Sequence, residues 1–226
     1  MERLITTSYL TQRENWPDEG RHILAQYDEQ SVVVYQAFKP TIGRFAAMHG
    51  FFGGGFRLDR TSWVKTNFLW MMYRSQWGTV PQQEIVLAVF LKRDAFDWLL
   101  SQAVHSLYHA DLYPSDTAWY AQLRRSPVVL QWDPDHAPTG HRLSRSAIQL
   151  GLRGEALAKY AREWIVAIED ISDFVAQQRL FVQTKAFEQL QVPYETVYPV
   201  ADPVVAARLL LAQKTLDDIS SAQGDS

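Results

Sequence analysis

The chain has 226 residues, a net charge of −3 and no cysteine. Disulfides, thiolate catalysis and Cys-ligated zinc are thereby excluded. No global positive field draws the chain onto nucleic acid or an anionic membrane, so a phosphate ligand needs a local group of cations. The first twenty residues lack a basic segment followed by an apolar run, and no apolar stretch approaches the roughly 18–20 residues of a spanning helix. A cytoplasmic protein without a membrane partner is expected.

Residues 1–22 read as a polar N-terminal arm or short first element. "SVVVYQAF" (residues 31–38) is β-branched and aromatic, and predicts a buried strand. Pro40 suits the first turn of a helix that Gly50 ends. "FFGGGF" is a turn whose glycines let the backbone approach a ligand or swing a loop. "RTSWVKTNFLWMMYRSQWG" (residues 60–78) joins three tryptophans to Arg60, Lys65 and Arg74, and its second half predicts a helix. "EIVLAVFL" (84–91) is a central strand, "RDAFDWLLSQAVHSL" (93–107) a helix, "SPVVLQWD" (126–133) a third strand with a loop after it, and "LSRSAIQLGL" (143–152) a fourth. "GEALAKYAREW" is helical, and "IVAIEDIS" either extends that helix or forms a strand, the extension being preferred. "DFVAQQRLFVQTKAFEQL" (173–190) is a long amphipathic helix, and residues 201–220 form a last one before a disordered tail at 221–226. The interleaving predicts one α+β domain over 23–200, with a mixed or mostly antiparallel central sheet flanked by helices.

Phosphate-loop, dinucleotide-fold and nucleophile-elbow motifs are missing. His105 and His109 stand at i, i+4, but without the glutamate of a metalloprotease helix, so a surface pair is preferred to a metal site. Asp133, Asp135 and His136 in "WDPDH" offer a base or an ion ligand, and a proline-fixed turn is the simpler reading.

The segments "VYQAF", "RTSWVKTNFLWMMYRSQWG", "VLAVFLKRDAFDWLL", "SPVVLQWDPDH" and "RSAIQLGL" in this order resemble the Domain-of-Unknown-Function-4291 family, from about Ile23 to Phe181. The resemblance implies an uncharacterised domain and marks Gln36, Arg60, Lys65, Arg74, Ser75, Gln131, Asp133, Arg145, Ser146 and Gln149. Leu24 and Val129 stand where the pattern usually has arginine. "VYQAFKPTIGRFAAMHGFF" is similar in rhythm to ADP-ribosyltransferase-like domains. That likeness puts Gln36 at their Arg or His position and Gln149 at their Glu position, and both departures weaken NAD chemistry.

The expected site has Gln36, Arg60, Lys65, Arg74, Ser75, Trp77, Gln131 and Arg145 binding substrate, with Asp133, His136 and Gln149 in catalytic positions. Cations hold phosphates, and Trp63, Trp70 or Trp77 stacks a base. Three readings are carried forward. The first is a nucleotide-dependent transferase acting on nucleic acid or protein, its cofactor NAD or another nucleotide. The second is an RNA- or nucleotide-binding module without turnover. The third is an interaction protein whose C-terminal helix docks a partner. Oligomeric state is left open. The four cations Arg60, Lys65, Arg74 and Arg145 are expected to converge on one cleft.

Overall fold

The computed structural model describes residues 3–212. In chain order the described residues form β1 (Thr6–Ser8), α1 (Tyr9–Asn15), β2 (Gly20–Arg21), β3 (Leu24–Ala25), β4 (Ser31–Phe38), α2 (Pro40–His49), β5 (Ser62–Lys65), α3 (Phe68–Ser75), β6 (Ile85–Lys92) and α4 (Arg93–Gln102). There follow β7 (Ala103–His105), α5 (Asp116–Arg125), β8 (Val128–His136), β9 (Arg142–Leu152), α6 (Gly154–Arg162), β10 (Ile165–Asp170), α7 (Ser172–Gln183), β11 (Gln191–Pro193), β12 (Thr196–Val197) and α8 (Pro203–Arg208).

The main sheet runs β10-β6-β4-β5-β9-β8-β7, with β2 added beside β9. Only the β2–β9 and β7–β8 pairings are parallel, so the sheet is mixed, as expected of this α+β domain. Both faces are covered. Val32, Val34, Leu87, Val89 and Leu150 pack against α2, α4 and α6 on one side. Val33, Tyr35, Val86 and Phe90 pack against α1, α3 and α7 on the other. A sheet buried on both faces reads as continuous apolar runs, which is why β4 and β6 were visible in the sequence.

Local chemistry sets the helix ends. Asn67 caps α3 by accepting the Trp70 N–H at 2.7 Å. Gly50 closes α2 in the left-handed region at φ 74°, a conformation glycine adopts without a Cβ penalty. The glycine turn is a packing device over part of its length: a Cβ at Gly53 would lie 2.4 Å from the Phe45 ring.

Five expectations need correction. Residues 165–170 are not a helical extension but the edge strand β10, paired to β6; Ile165, Val166 and Ile168 are β-branched, and β6 needs a partner on that side. The helix from Arg93 stops at Gln102, and Ala103–His105 instead pairs with β8, so His105 and His109 are not one helical face. His105 is buried, with Nε2 hydrogen-bonded to the Arg208 carbonyl at 2.8 Å. The third strand runs on through the expected loop to His136, with an irregularity at Pro134. α7 ends at Gln183, just before Lys185, which is left-handed at φ 60°. The final helix covers only Pro203–Arg208: Trp132 Nε1 takes the Leu209 carbonyl at 2.9 Å, and Leu210 turns left-handed at φ 56°. The expected continuation of that helix past residue 212, and the tail, lie outside the described residues.

Residues 3–22 are built into the domain. β1 pairs with β11, and buried Trp16 donates its indole N–H to the Glu195 carbonyl at 2.8 Å.

Candidate functional site

The sheet is weakest between β4 and β5. β4 pairs with β6 over all eight of its residues, but it meets β5 through the single register pair Tyr35–Lys65. Beyond that pair the strands part. Gln36 spans the opening: its Nε2 donates to Ser62 Oγ and to the Trp63 carbonyl, each at 2.9 Å. The buried Tyr160 hydroxyl donates in turn to Gln36 Oε1 at 2.7 Å. Three of the four hydrogen-bonding positions of this amide are used inside the protein. Gln36 therefore sets the width of the opening.

A cleft of about 530 Å³ lies at this split, with Arg60, Lys65, Arg74, Gln131, Asp133 and Gln149 in its wall beside Trp63 and Trp70. Its floor follows from register. Lys65 pairs with Gln149, and Gln149 with Gln131, across three neighbouring strands. Directly paired residues point to one face of a sheet, so the three polar side chains form a row. Asp133, two residues beyond Gln131, shares that face. α3 crosses the same face and supplies Trp70 and Arg74.

Asp133 is the one carboxylate in this wall. Gln131 Nε2 donates to its Oδ1 at 2.8 Å, and Gln149 Nε2 to its Oδ2 at 2.6 Å. The two amides clamp the carboxylate in one orientation. Lys65 is only 6 % exposed. Burial, and then the charge of Arg74, lower its pKa to about 8, while Asp133 pulls in the opposite direction. The described ion pairs are Arg57–Asp59, Arg145–Asp135 and Lys159–Glu155, so neither Lys65 nor Arg74 is in one. Arg60 makes one long contact, 3.5 Å to the Thr61 carbonyl. Three cations thus share a hollow with a single clamped carboxylate.

Trp63 lies against Gly151, where a Cβ would meet its ring at 3.0 Å. The glycine makes room for the indole at the cleft wall. Trp70 stacks with Tyr73 at 5.4 Å and with His136 at 5.2 Å, and Tyr73 covers His136 at 3.6 Å.

The other expected residues are elsewhere. Arg145 does not join the cleft: it is buried, with Nε on Asp135 Oδ2 at 2.6 Å and its guanidinium 5.0 Å from the Trp16 ring. The expected convergence of four cations is therefore one of three. His136 is held in the aromatic stack, where burial lowers its pKa, and it does not line the cleft. Ser75 is buried and closes its helix, donating to the Met71 carbonyl at 2.9 Å. Trp77 donates to the Pro138 carbonyl at 3.1 Å and faces a neighbouring hollow with Tyr73 and Arg179. Leu24 and Val129 are both buried and neither lines the cleft. Ser62, Tyr160 and Gly151 shape the site without having been singled out in the sequence. Their roles depend on partners far along the chain, and no local motif marks them.

The pattern described as Domain of unknown function (DUF4291) matches residues 22–198. The chain belongs to the DUF4291 family. Every cleft residue named above lies within the matched span, as do the partners that hold Gln36. No curated protein matches the chain. The stretch with the ADP-ribosyltransferase-like rhythm lies within the matched span, and the match does not show that similarity. None of the helices among the described residues is long and apolar enough to cross a membrane.

Proposed function

We propose that the cleft binds the phosphates of a nucleotide, NAD or another, and that the protein transfers part of that nucleotide to a nucleic-acid or protein acceptor. The observation that carries this reading is the set Arg60, Lys65 and Arg74 around one hollow, with no carboxylate among the described residues paired to Lys65 or Arg74. Like charges repel, and burying a lysine costs desolvation energy. An incoming anion offsets both costs. The guanidinium of Arg74 suits bidentate contact with phosphate, and Lys65 suits a point contact. Trp63 supplies flat apolar surface for a base.

In this reading Asp133 accepts the proton of an acceptor hydroxyl, and Arg74 and Lys65 offset charge that develops on the leaving phosphate. Gln149 cannot take a proton, because an amide has no such capacity at neutral pH; it positions Asp133. A thermal-shift series with NAD, ATP, GTP and a short RNA tests the reading. Ligand at about one hundred times its dissociation constant adds about 2.7 kcal/mol of stability. Absence of any shift with all four ligands counts against it.

One observation favours binding without turnover. Both oxygens of Asp133 are already engaged by glutamine amides. If Asp133→Asn binds ligand as the wild type does and no product forms with either, the protein is a nucleotide-binding module.

A further inference from the structure

Three further hollows adjoin the cleft through shared residues. One of about 470 Å³ shares Phe38, Arg60 and Ser62 with it. A second of about 690 Å³ meets it at Arg60 and leads to Arg124 and Arg125. A third, of about 550 Å³, shares Arg74 with the cleft and has Tyr73, Trp77 and Arg179 in its wall. Arg60 stands in the walls of three of these four hollows and Arg74 in the walls of two, and the four together are called the trough.

The charge of this trough contrasts with that of the chain. Its walls hold nine of the 22 Lys and Arg side chains but three of the 25 carboxylates. Two of those three are already paired, Asp59 with Arg57 and Glu155 with Lys159. An acidic protein has thus gathered cations along one path. Aromatic rings recur on the same path, with Phe56, Trp63, Trp70 and Tyr73 in successive walls. A run of cations tracks a phosphate backbone, and flat rings between them stack unpaired bases. A duplex keeps its bases stacked inside and has no use for those rings.

We propose that the trough is a binding track for a single-stranded nucleic acid. It rests on the reading of the cleft as a phosphate site for its centre, and extends it outward: the strand runs from Arg125 past Arg60, crosses Lys65 and Arg74, and leaves by Arg179. This names the acceptor class as nucleic acid. The net negative charge elsewhere confines binding to the track.

The test compares ligands and one variant. Fluorescence anisotropy follows a labelled 12-nucleotide single strand, as RNA and as DNA, and the same sequence as a duplex. Calorimetry follows ATP and NAD. The variant is Arg124→Ala/Arg125→Ala; both residues are exposed and lie outside the central cleft. The expected result is single-strand binding that weakens with salt, with a slope of about −0.7 for each phosphate contacted. The double variant binds the strand about tenfold more weakly, with a shallower slope and unchanged mononucleotide affinity. A strand that binds no better than ATP, a duplex that binds as well as the strand, or a double variant that binds like the wild type overturns the track. If ATP and NAD bind while the strand does not, the track falls and the cleft reading stands. If the strand binds as described while no mononucleotide does, the nucleotide reading falls and the track stands.

Discussion

Lys65 and Arg74 share one cleft, and the charge of Arg74 adds to burial in driving the Lys65 ammonium toward neutrality. Natural cores avoid such pairs unless something compensates them. Asp133 offsets the repulsion only in part, because its two oxygens also accept from Gln131 and Gln149. The cleft carries a surplus of positive charge, which the proposed anion would offset.

If that is correct, Lys65 destabilises the empty fold. Lys65→Met is expected to raise stability by about 1–3 kcal/mol, since it removes a buried cation without removing an ion-pair partner. The same variant is expected to lose nucleotide binding. Chemical denaturation and calorimetry measure both. A variant less stable than the wild type, with binding intact, would place Lys65 among ordinary packing residues.

The pH dependence has a definite sign. Lys65 titrates near 8 in the folded protein and at about 10.4 when unfolded. Between those values the unfolded chain holds more protons, so the contribution of Lys65 to stability rises with pH over that window and is lost as pH falls through about 8. An anion favours the charged amine. Nucleotide affinity is therefore expected to fall as pH rises above about 8, and binding at pH 8 to take up protons. Calorimetry in two buffers of different ionisation enthalpy detects the uptake; a flat profile from pH 7 to 9.5 would remove Lys65 from the binding set.

Arg74 is exposed and makes no ion pair among the described residues, so its replacement has little to disturb. Lysine also suits the last turn of a helix, where a cation is favoured. Arg74→Lys is expected to leave the melting temperature within a degree or two and to weaken nucleotide binding by about 1–3 kcal/mol, through loss of the planar fork. Equal affinity in the two proteins would return Arg74 to the role of a helix cap.

Arg145 is expected to behave in the opposite way. Its ion pair with Asp135 is buried, and burial pushes the Asp135 carboxyl up against the pull of Arg145. Removing one partner leaves a buried charge alone, so Arg145→Ala is expected to cost about 3–5 kcal/mol. Protein that does fold should bind nucleotide normally. Selective loss of binding with full stability would mean that Arg145 reaches the ligand.

Gln36→Leu probes the split sheet. It removes the bonds to Ser62, Trp63 and Tyr160 and leaves the buried Tyr160 hydroxyl without an acceptor. A loss of about 2–4 kcal/mol is expected, on the scale of three hydrogen bonds and one orphaned group. Denaturant titration measures it, and a loss under 1 kcal/mol would show that the opening is held by other contacts.

Much of this architecture was readable from local pattern. The apolar runs of β4 and β6 mark strands buried on both faces, the alternation of β9 marks a strand with one polar side, and Pro40 with Gly50 brackets α2. Arg60, Lys65, Arg74, Gln131, Asp133 and Gln149 could be singled out as polar residues in aromatic or β-branched surroundings. What pattern cannot convey is which polar residues meet. Arg145 and Arg74 look alike in sequence, yet Asp135, reached across a strand irregularity, takes Arg145 into the core. His136 looks like a base near Asp133, but the strand irregularity after Pro134 shifts its register, and Tyr73 and Trp70 claim the ring. The edge strand β10 was hidden for a related reason: its pairing with β6 is a tertiary contact that overrides its helical context.

The most direct measurement is a calorimetric titration of wild type, Arg74→Lys and Lys65→Met with ATP and with NAD at pH 7. A nucleotide-binding cleft predicts saturable binding of at least one of the two to the wild type, weaker binding to Arg74→Lys and none to Lys65→Met, with all three proteins folded. Binding of neither nucleotide to the wild type, or the same affinity in all three proteins, would contradict it.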